Sequence, residues 1–193
     1  ISGSLKITKG EITALATTPI AQGAGFVAAS DPAVTVSKIN GEYVTTILLT
    51  MANTVFAAAD KAVIGGQNGA AQSYITQITT ATNGIVYKAE MSCLEVPTAG
   101  GGGGVQVDID LTTNLSASSQ GNLWDGGTSP IKLIEAGEDW TVGMTKESPV
   151  AAGQSVNWAN VVNGYLFLAN GASGPAGGYN AGKFIIKLYG ASF

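Results

Sequence analysis

The sequence predicts an all-β chain: a jelly-roll-like antiparallel β-sandwich of about eight to ten short strands with at most one short helix. Three observations carry this. Apolar and polar residues alternate with period two in segment after segment, the mark of a strand with one buried face. Asn-Gly and Gly-Gly dipeptides lie between those segments, where tight turns need positive φ. Short strands at this spacing read as a β-sandwich or jelly roll.

Taken in order, strand character begins at "LKIT" (5–8) and continues through "AVTVSKI" (33–39) and "EYVTTILLTM" (42–51). Asn40-Gly41 separates the last two and predicts a hairpin turn. "NTVFAAADKAVIGG" (53–66) has helical potential, with Asn53 as its cap and Gly65-Gly66 as its stop. "SYITQITT" (73–80) and "IVYKAEMSCLEV" (85–96) follow, the second placing Ile85, Tyr87, Ala89, Met91 and Cys93 on one face. "VQVDIDL" (105–111) points Val105, Val107, Ile109 and Leu111 one way and Gln106, Asp108 and Asp110 the other. "IKLI" (131–134), "DWTVGM" (139–144), "GYLFLAN" (164–170) and "KFIIKLYG" (183–190) complete the set. In the last, Phe184, Ile186 and Leu188 share a face opposite Lys183 and Lys187. "GASGPAGGYNAG" (171–182) reads as a long exposed hairpin tip between the final two strands. Further Asn-Gly or Gly-Gly turns are expected at 68–69, 83–84, 126–127, 163–164 and 170–171.

The totals limit the job. A chain of 193 residues is long enough for one well-buried core, and no shift of composition divides it, so a single domain over 1–193 is expected. Charged residues make up 11%, against about 25% in an ordinary domain. Surface polarity must come from Ser, Thr, Asn and Gln, a coat suited to an extracellular or virion protein partly hidden against its own copies. Burying unpaired charge is expensive, and a charge-poor surface avoids that barrier to subunit contact. Net charge is −4, and the nine basic residues, all lysine, are scattered from Lys6 to Lys187, so no nucleic-acid partner is expected. No run approaches the roughly 20 apolar residues of a membrane helix. Lys6 and Lys9 are not followed by the apolar stretch of a secretory signal, and a secreted precursor processed before Ile1 remains compatible with the chain.

Catalysis fails on inventory. There is no histidine, so no Ser-His-Asp or Cys-His arrangement can be assembled. Ser129 and Lys132 form one S-x-x-K, but Pro130 and the strand-like "IKLI" deny it a helical setting. Cys93 is the single cysteine, which rules out an intrachain disulfide; its phase with Met91 and Tyr87 makes it a buried small hydrophobe. The glycine run 100–104 precedes a strand, not a helix, and no Lys-Ser or Lys-Thr follows it. A mobile or interface loop is therefore preferred over a phosphate cradle. Asp108 and Asp110, with Asp125, Glu135, Glu138 and Asp139 elsewhere, could contribute to a calcium shell. The plainer reading is a solvated strand face, and no metal or cofactor is expected. Paired carboxylates with Trp124, Trp140 and Trp158 raise glycoside hydrolysis or glycan binding; tryptophans in a sandwich are more often core or interface residues.

Four segments carry a resemblance: "GEYVTTILLTMANTVFAAADKAVIG" (41–65), "AAQSYITQITTATNGIVYKAEMSCLEVPT" (70–98), "VDIDL" (107–111) and "NGYLFLANGASGPAGGYNAGKFIIKLYG" (163–190). The chain resembles structural proteins of marine tailed bacteriophages, most distinctively at its C-terminal end. The resemblance implies a virion component and brings no functional residues with it. The expectation is a non-enzymatic capsid decoration, or cement, protein on the capsid exterior. Its partners would be copies of itself, a trimer being the simplest closed set, and a major capsid protein. A major jelly-roll capsid protein and a tail or fibre component rank behind it. The alternatives are an extracellular glycan-binding module and a self-assembling surface or fibre subunit. The glycine-rich loops 98–104 and 171–182 are the first places to seek contacts.

Overall fold

The computed structural model describes residues 13–14, 22–23, 26, 32–58, 60–65, 73–99, 107–117, 131–148, 156–173 and 176–192. Twelve strands occur among them. In chain order they are β1 (Thr13–Ala14), β2 (Ala33–Ile39), β3 (Glu42–Thr50), β4 (Val55–Phe56), β5 (Val63–Ile64), β6 (Thr76–Gln77), β7 (Ile85–Ala99), β8 (Ile109–Asn114), β9 (Ile131–Ile134), β10 (Thr145–Glu147), β11 (Tyr165–Asn170) and β12 (Gly177–Ala191). A four-residue helix, α1, covers Thr80–Asn83, and a 3₁₀ turn covers Trp158–Asn160. The strands outnumber the eight to ten expected because β1, β4, β5 and β6 are two-residue pieces. The proposed strand 5–8, the glycine run 100–104, Trp124, Asp125, Ser129, and the turns at 68–69 and 126–127 lie outside the described residues.

Two antiparallel sheets result. The larger runs β1-β2-β3-β12-β7-β10, with β4 added to β12; the smaller runs β5-β11-β8-β9, with β6 added to β11. The pairing is that of one long hairpin rolled over itself. The segment from β3 to β12 pairs first with last (β3 with β12), then β5 with β11, β7 with β10 and β8 with β9. Each of these four pairs lies within one sheet, and successive pairs alternate between the two sheets. This is jelly-roll topology, and the β-sandwich expectation holds.

Local chemistry explains most elements. Asn40 and Gly41 both take positive φ (52° and 84°) and close the two-residue turn joining Ile39 to Glu42. Thr79 caps α1 by accepting from the Thr82 amide, and Gly84 ends it at φ 67°. The buried Asn83 side chain accepts from the Thr79 amide and donates to Thr45 Oγ1 at 2.7 Å, tying α1 to β3.

Several expectations are corrected. No helix spans 53–66: Asn53 and Lys61 take positive φ, and Val55–Phe56 pair with Gly178 and Gly177 of β12. Strand pairing there overrides the local helix preference of the alanines. "DWTVGM" is a turn in which Trp140 is buried and Gly143 has φ 84°; the strand starts only at Thr145. "SYITQITT" keeps just Thr76–Gln77 as strand, because Thr79 is used as a helix cap. Segment 171–182 is not a hairpin tip. β11 and β12 belong to different sheets and do not pair with each other, and Gly177–Gly182 are already strand; residues 174–175 lie outside the described residues.

The core lies between the sheets. Ile47 and Leu49 of β3, Phe184 and Ile186 of β12, and Met91 and Cys93 of β7 meet Ile109, Leu111, Leu166 and Leu168 from the other side. Trp140 enters from the connection between β9 and β10, stacks edge-on against Phe184 at 5.3 Å, and donates its indole N–H to the Ile109 carbonyl. The smaller sheet is buried on its outer face too, where Val63, Tyr74, Phe167 and Ala169 form a second cluster.

Candidate functional site

Two regions carry chemistry: the outer face of the larger sheet, and a buried acid–lysine group on the outer face of the smaller one.

Register defines the first. Across β2, β3, β12, β7 and β10, outward side chains fall into rows. Ala33, Leu48, Ile185, Ser92 and Thr145 form one, and Thr35, Thr46, Lys187, Glu90 and Glu147 form the next. Ser37, Val44, Tyr189 and Lys88 make a third, with Ile39, Glu42, Ala191 and Ile85 beyond it. Every member is exposed or half-buried. The charges are largely matched in place: Lys183 with Glu95 (3.0 Å), Lys187 with Glu90 (3.4 Å) and Lys88 with Glu147 (2.9 Å). Tyr189 donates its hydroxyl to Glu90, and Tyr87 donates to Glu42. Leu48, Leu94, Ile39, Ile85 and Tyr87 each stand 42–52% exposed. Paired cross-strand charges with apolar side chains between them make a face that loses little by being covered.

Tyr87 and Ile85 belong to this outer face, not to the buried face of Met91 and Cys93 as the alternation suggested. The register slips between Tyr189 and Gly190, which pair with Lys88 and Val86. This bulge inserts one residue and reverses the phase, so Val86 is buried while its neighbours are exposed.

The second region corrects the expected solvated strand face. All six residues of β8 are buried, and Asp110 is fully so. Asp110 Oδ1 accepts from the Ala136 amide at 2.9 Å, and Oδ2 pairs with Lys132 Nζ at 2.9 Å. Lys132 Nζ also reaches Glu135 Oε1 at 2.8 Å. Asp108 accepts from the Gly137 amide and lies against Gly171, with one buried oxygen lacking a hydrogen-bond partner. Burial, then the charge of Asp110, pushes the Asp108 carboxyl up to about 6. Burial likewise raises Asp110, against the pull of Lys132 and the Ala136 amide. The two carboxylates therefore pin the 136–137 backbone onto the start of β8, and Lys132 supplies the positive charge beside Asp110. Among the described residues no group of three or more His, Cys, Asp or Glu side chains is arranged to hold a metal.

The remaining candidates are interior or dispersed. Cys93 is buried, and burial raises its thiol. Trp140 is core, and Trp158 packs half-buried against the core, so neither is a sugar platform on a loop. No described helix is long and apolar enough to cross a membrane. The Asp110–Lys132 pairing escaped sequence reading, although Lys132 inside an otherwise apolar strand was its one visible signal. Comparison with protein-family models, curated proteins and solved structures returned no match to this chain.

Proposed function

We propose that this chain is a non-enzymatic virion structural protein, a capsid decoration protein that acts by packing against copies of itself and against a shell. The observation that carries this reading is the outer face of the larger sheet: broad, exposed, and internally matched in charge. Five strands about 4.8 Å apart, over the nine-residue length of β3, give a footprint of the order of 700 Å². That is close to the roughly 800 Å² per partner of a stable interface. Jelly-roll sandwiches serve as capsid and as lectin domains, a likeness of fold alone. The absence of histidine from the sequence argues against a Ser-His-Asp or Cys-His site, and the resemblance to phage structural proteins favours the capsid role. Repetition over many shell sites turns modest contacts into high avidity.

Light scattering on the purified chain tests it. A homo-oligomer is expected, and Leu48→Lys with Ile185→Lys is expected to dissociate it while circular dichroism stays unchanged. The wild type should co-sediment with capsids stripped of decoration, and the double variant should bind them at least tenfold more weakly. A wild-type monomer that ignores such capsids overturns the reading. Tyr87, exposed on the same face, is what favours the glycan-binding alternative; a monomer that binds sugars and loses them with Tyr87→Ala would establish that instead.

A further inference from the structure

We propose that Lys132 and Asp110 condense into an intramolecular amide that covalently joins strands β9 and β8, with Glu135 as the proton carrier. The inference is independent of the self-association reading, since it concerns one chain alone.

Geometry supports it at each atom. β8 and β9 are neighbours, with Thr112 opposite Lys132, and a register shift between Leu111 and Thr112 inserts Leu133 as an extra residue. Lys132 thus lies diagonal to Asp110 on one face, and its Nζ stands 2.9 Å from Oδ2. Glu135 Oε1 sits 2.8 Å from the same nitrogen. The Ala136 amide grips Oδ1, which fixes the carboxyl plane and divides the labour between its oxygens. Oδ1 becomes the amide carbonyl, with a backbone N–H placed to stabilise negative charge there. Oδ2, on the lysine side, becomes the leaving oxygen. The Asp110 side chain is 1% exposed.

The step balances without an oxidant or a further reactant. Within the ion pair the ammonium passes one proton to Oδ2, giving a neutral acid and a neutral amine. The amine nitrogen attacks Cγ, forming the C–N bond and placing negative charge on Oδ1. Glu135 takes a second proton from the nitrogen and delivers it to Oδ2. The Cγ–Oδ2 bond breaks, water leaves, and the nitrogen keeps one hydrogen. Holding the pair in contact removes the entropic barrier to a bimolecular step, and a buried ion pair is costly enough that a neutral amide competes well with it. Burial of Asp110 favours its acid form. Burial opposes the charge on Lys132, but Glu135 and Asp110 outweigh it and keep the side chain as ammonium, so the neutral acid–amine pair is scarce and the condensation is slow.

Intact mass spectrometry of the folded full chain, followed from purification through long incubation, provides the test. A species lighter by one water is expected to accumulate, with tandem spectra joining the Lys132 peptide to the Asp110 peptide. Lys132→Arg should abolish it, and Glu135→Gln should slow it by about 100-fold while the fold persists. Retention of the full sequence mass by folded wild type overturns the proposal. So does a water loss that survives Lys132→Arg or maps to Asp125-Gly126, where a succinimide forms by a different route.

Discussion

Asp108 has a carboxyl that resists ionisation, and the sign of its effect on stability follows. Its folded value, about 6, lies above its ordinary 3.8. Between those values the native state binds more protons than the unfolded chain, so this group makes stability fall as pH rises from about 4 to about 6 and stay level above. Salt-bridged carboxylates act in the opposite sense, which makes the difference between wild type and variant the informative quantity. Asp108→Asn keeps an acceptor for the Gly137 amide and removes the repulsion with Asp110. It is expected to stabilise the protein near neutral pH and to gain nothing near pH 4, as read by urea denaturation across that range. A Cβ on Gly171 would run into the Asp108 carboxylate, and one on Gly190 into the Asn83 carbonyl. Either alanine substitution is expected to cost about 1–3 kcal/mol in the same assay. Cys93, buried with a raised thiol, should react with a maleimide only under denaturant; labelling of the native protein would contradict its burial.

Strands with one buried face were legible, and those with two were not. β2, β3 and β12 alternate as written, so Phe184, Ile186 and Leu188 are buried while Lys183 and Lys187 look outward. β8 alternates equally well, yet both of its faces are covered, and its one charged residue, Asp110, is paired internally with Lys132 and the Ala136 amide. Period two reports which residues share a side and is silent on what covers the other side. β7 misled differently, since one bulge reverses everything upstream of Lys88. Trp140 shows how a connection can be as fixed as a strand: its backbone amide donates to the Val107 carbonyl and its indole to that of Ile109. Trp140→Phe retains the ring against Phe184 but leaves the Ile109 carbonyl unpaired, for an expected loss of about 1–3 kcal/mol. Trp140→Ala adds a cavity and should cost about 3–5 kcal/mol in thermal or urea unfolding.

At the scale of the whole molecule, β12 decides whether there is a sheet at all. It is the last strand in the chain, yet it lies between β3 and β7 and bonds to both along most of its 15 residues. No periodicity in the sequence announces that placement, because alternation identifies a strand without naming its neighbours. Until β12 arrives, β3 and β7 each present a bare edge with apolar residues behind it, a state prone to pairing with other chains. Pairing residues as distant as Glu42 and Ala191 must also pay a large loop-closure entropy before any contact rewards it. Two outcomes are expected. Refolding from denaturant should occur in milliseconds to seconds, not microseconds, when followed by Trp140 fluorescence. A chain ending before Lys183 should fail to fold and should aggregate, since it loses Phe184, Ile186 and Leu188 from the core together with the only described bridge between β3 and β7. Circular dichroism and sedimentation of that truncation decide the matter. A soluble product with native strand content would mean that β3 and β7 can close the sheet without β12, and the rolled-hairpin account of the fold would then fail.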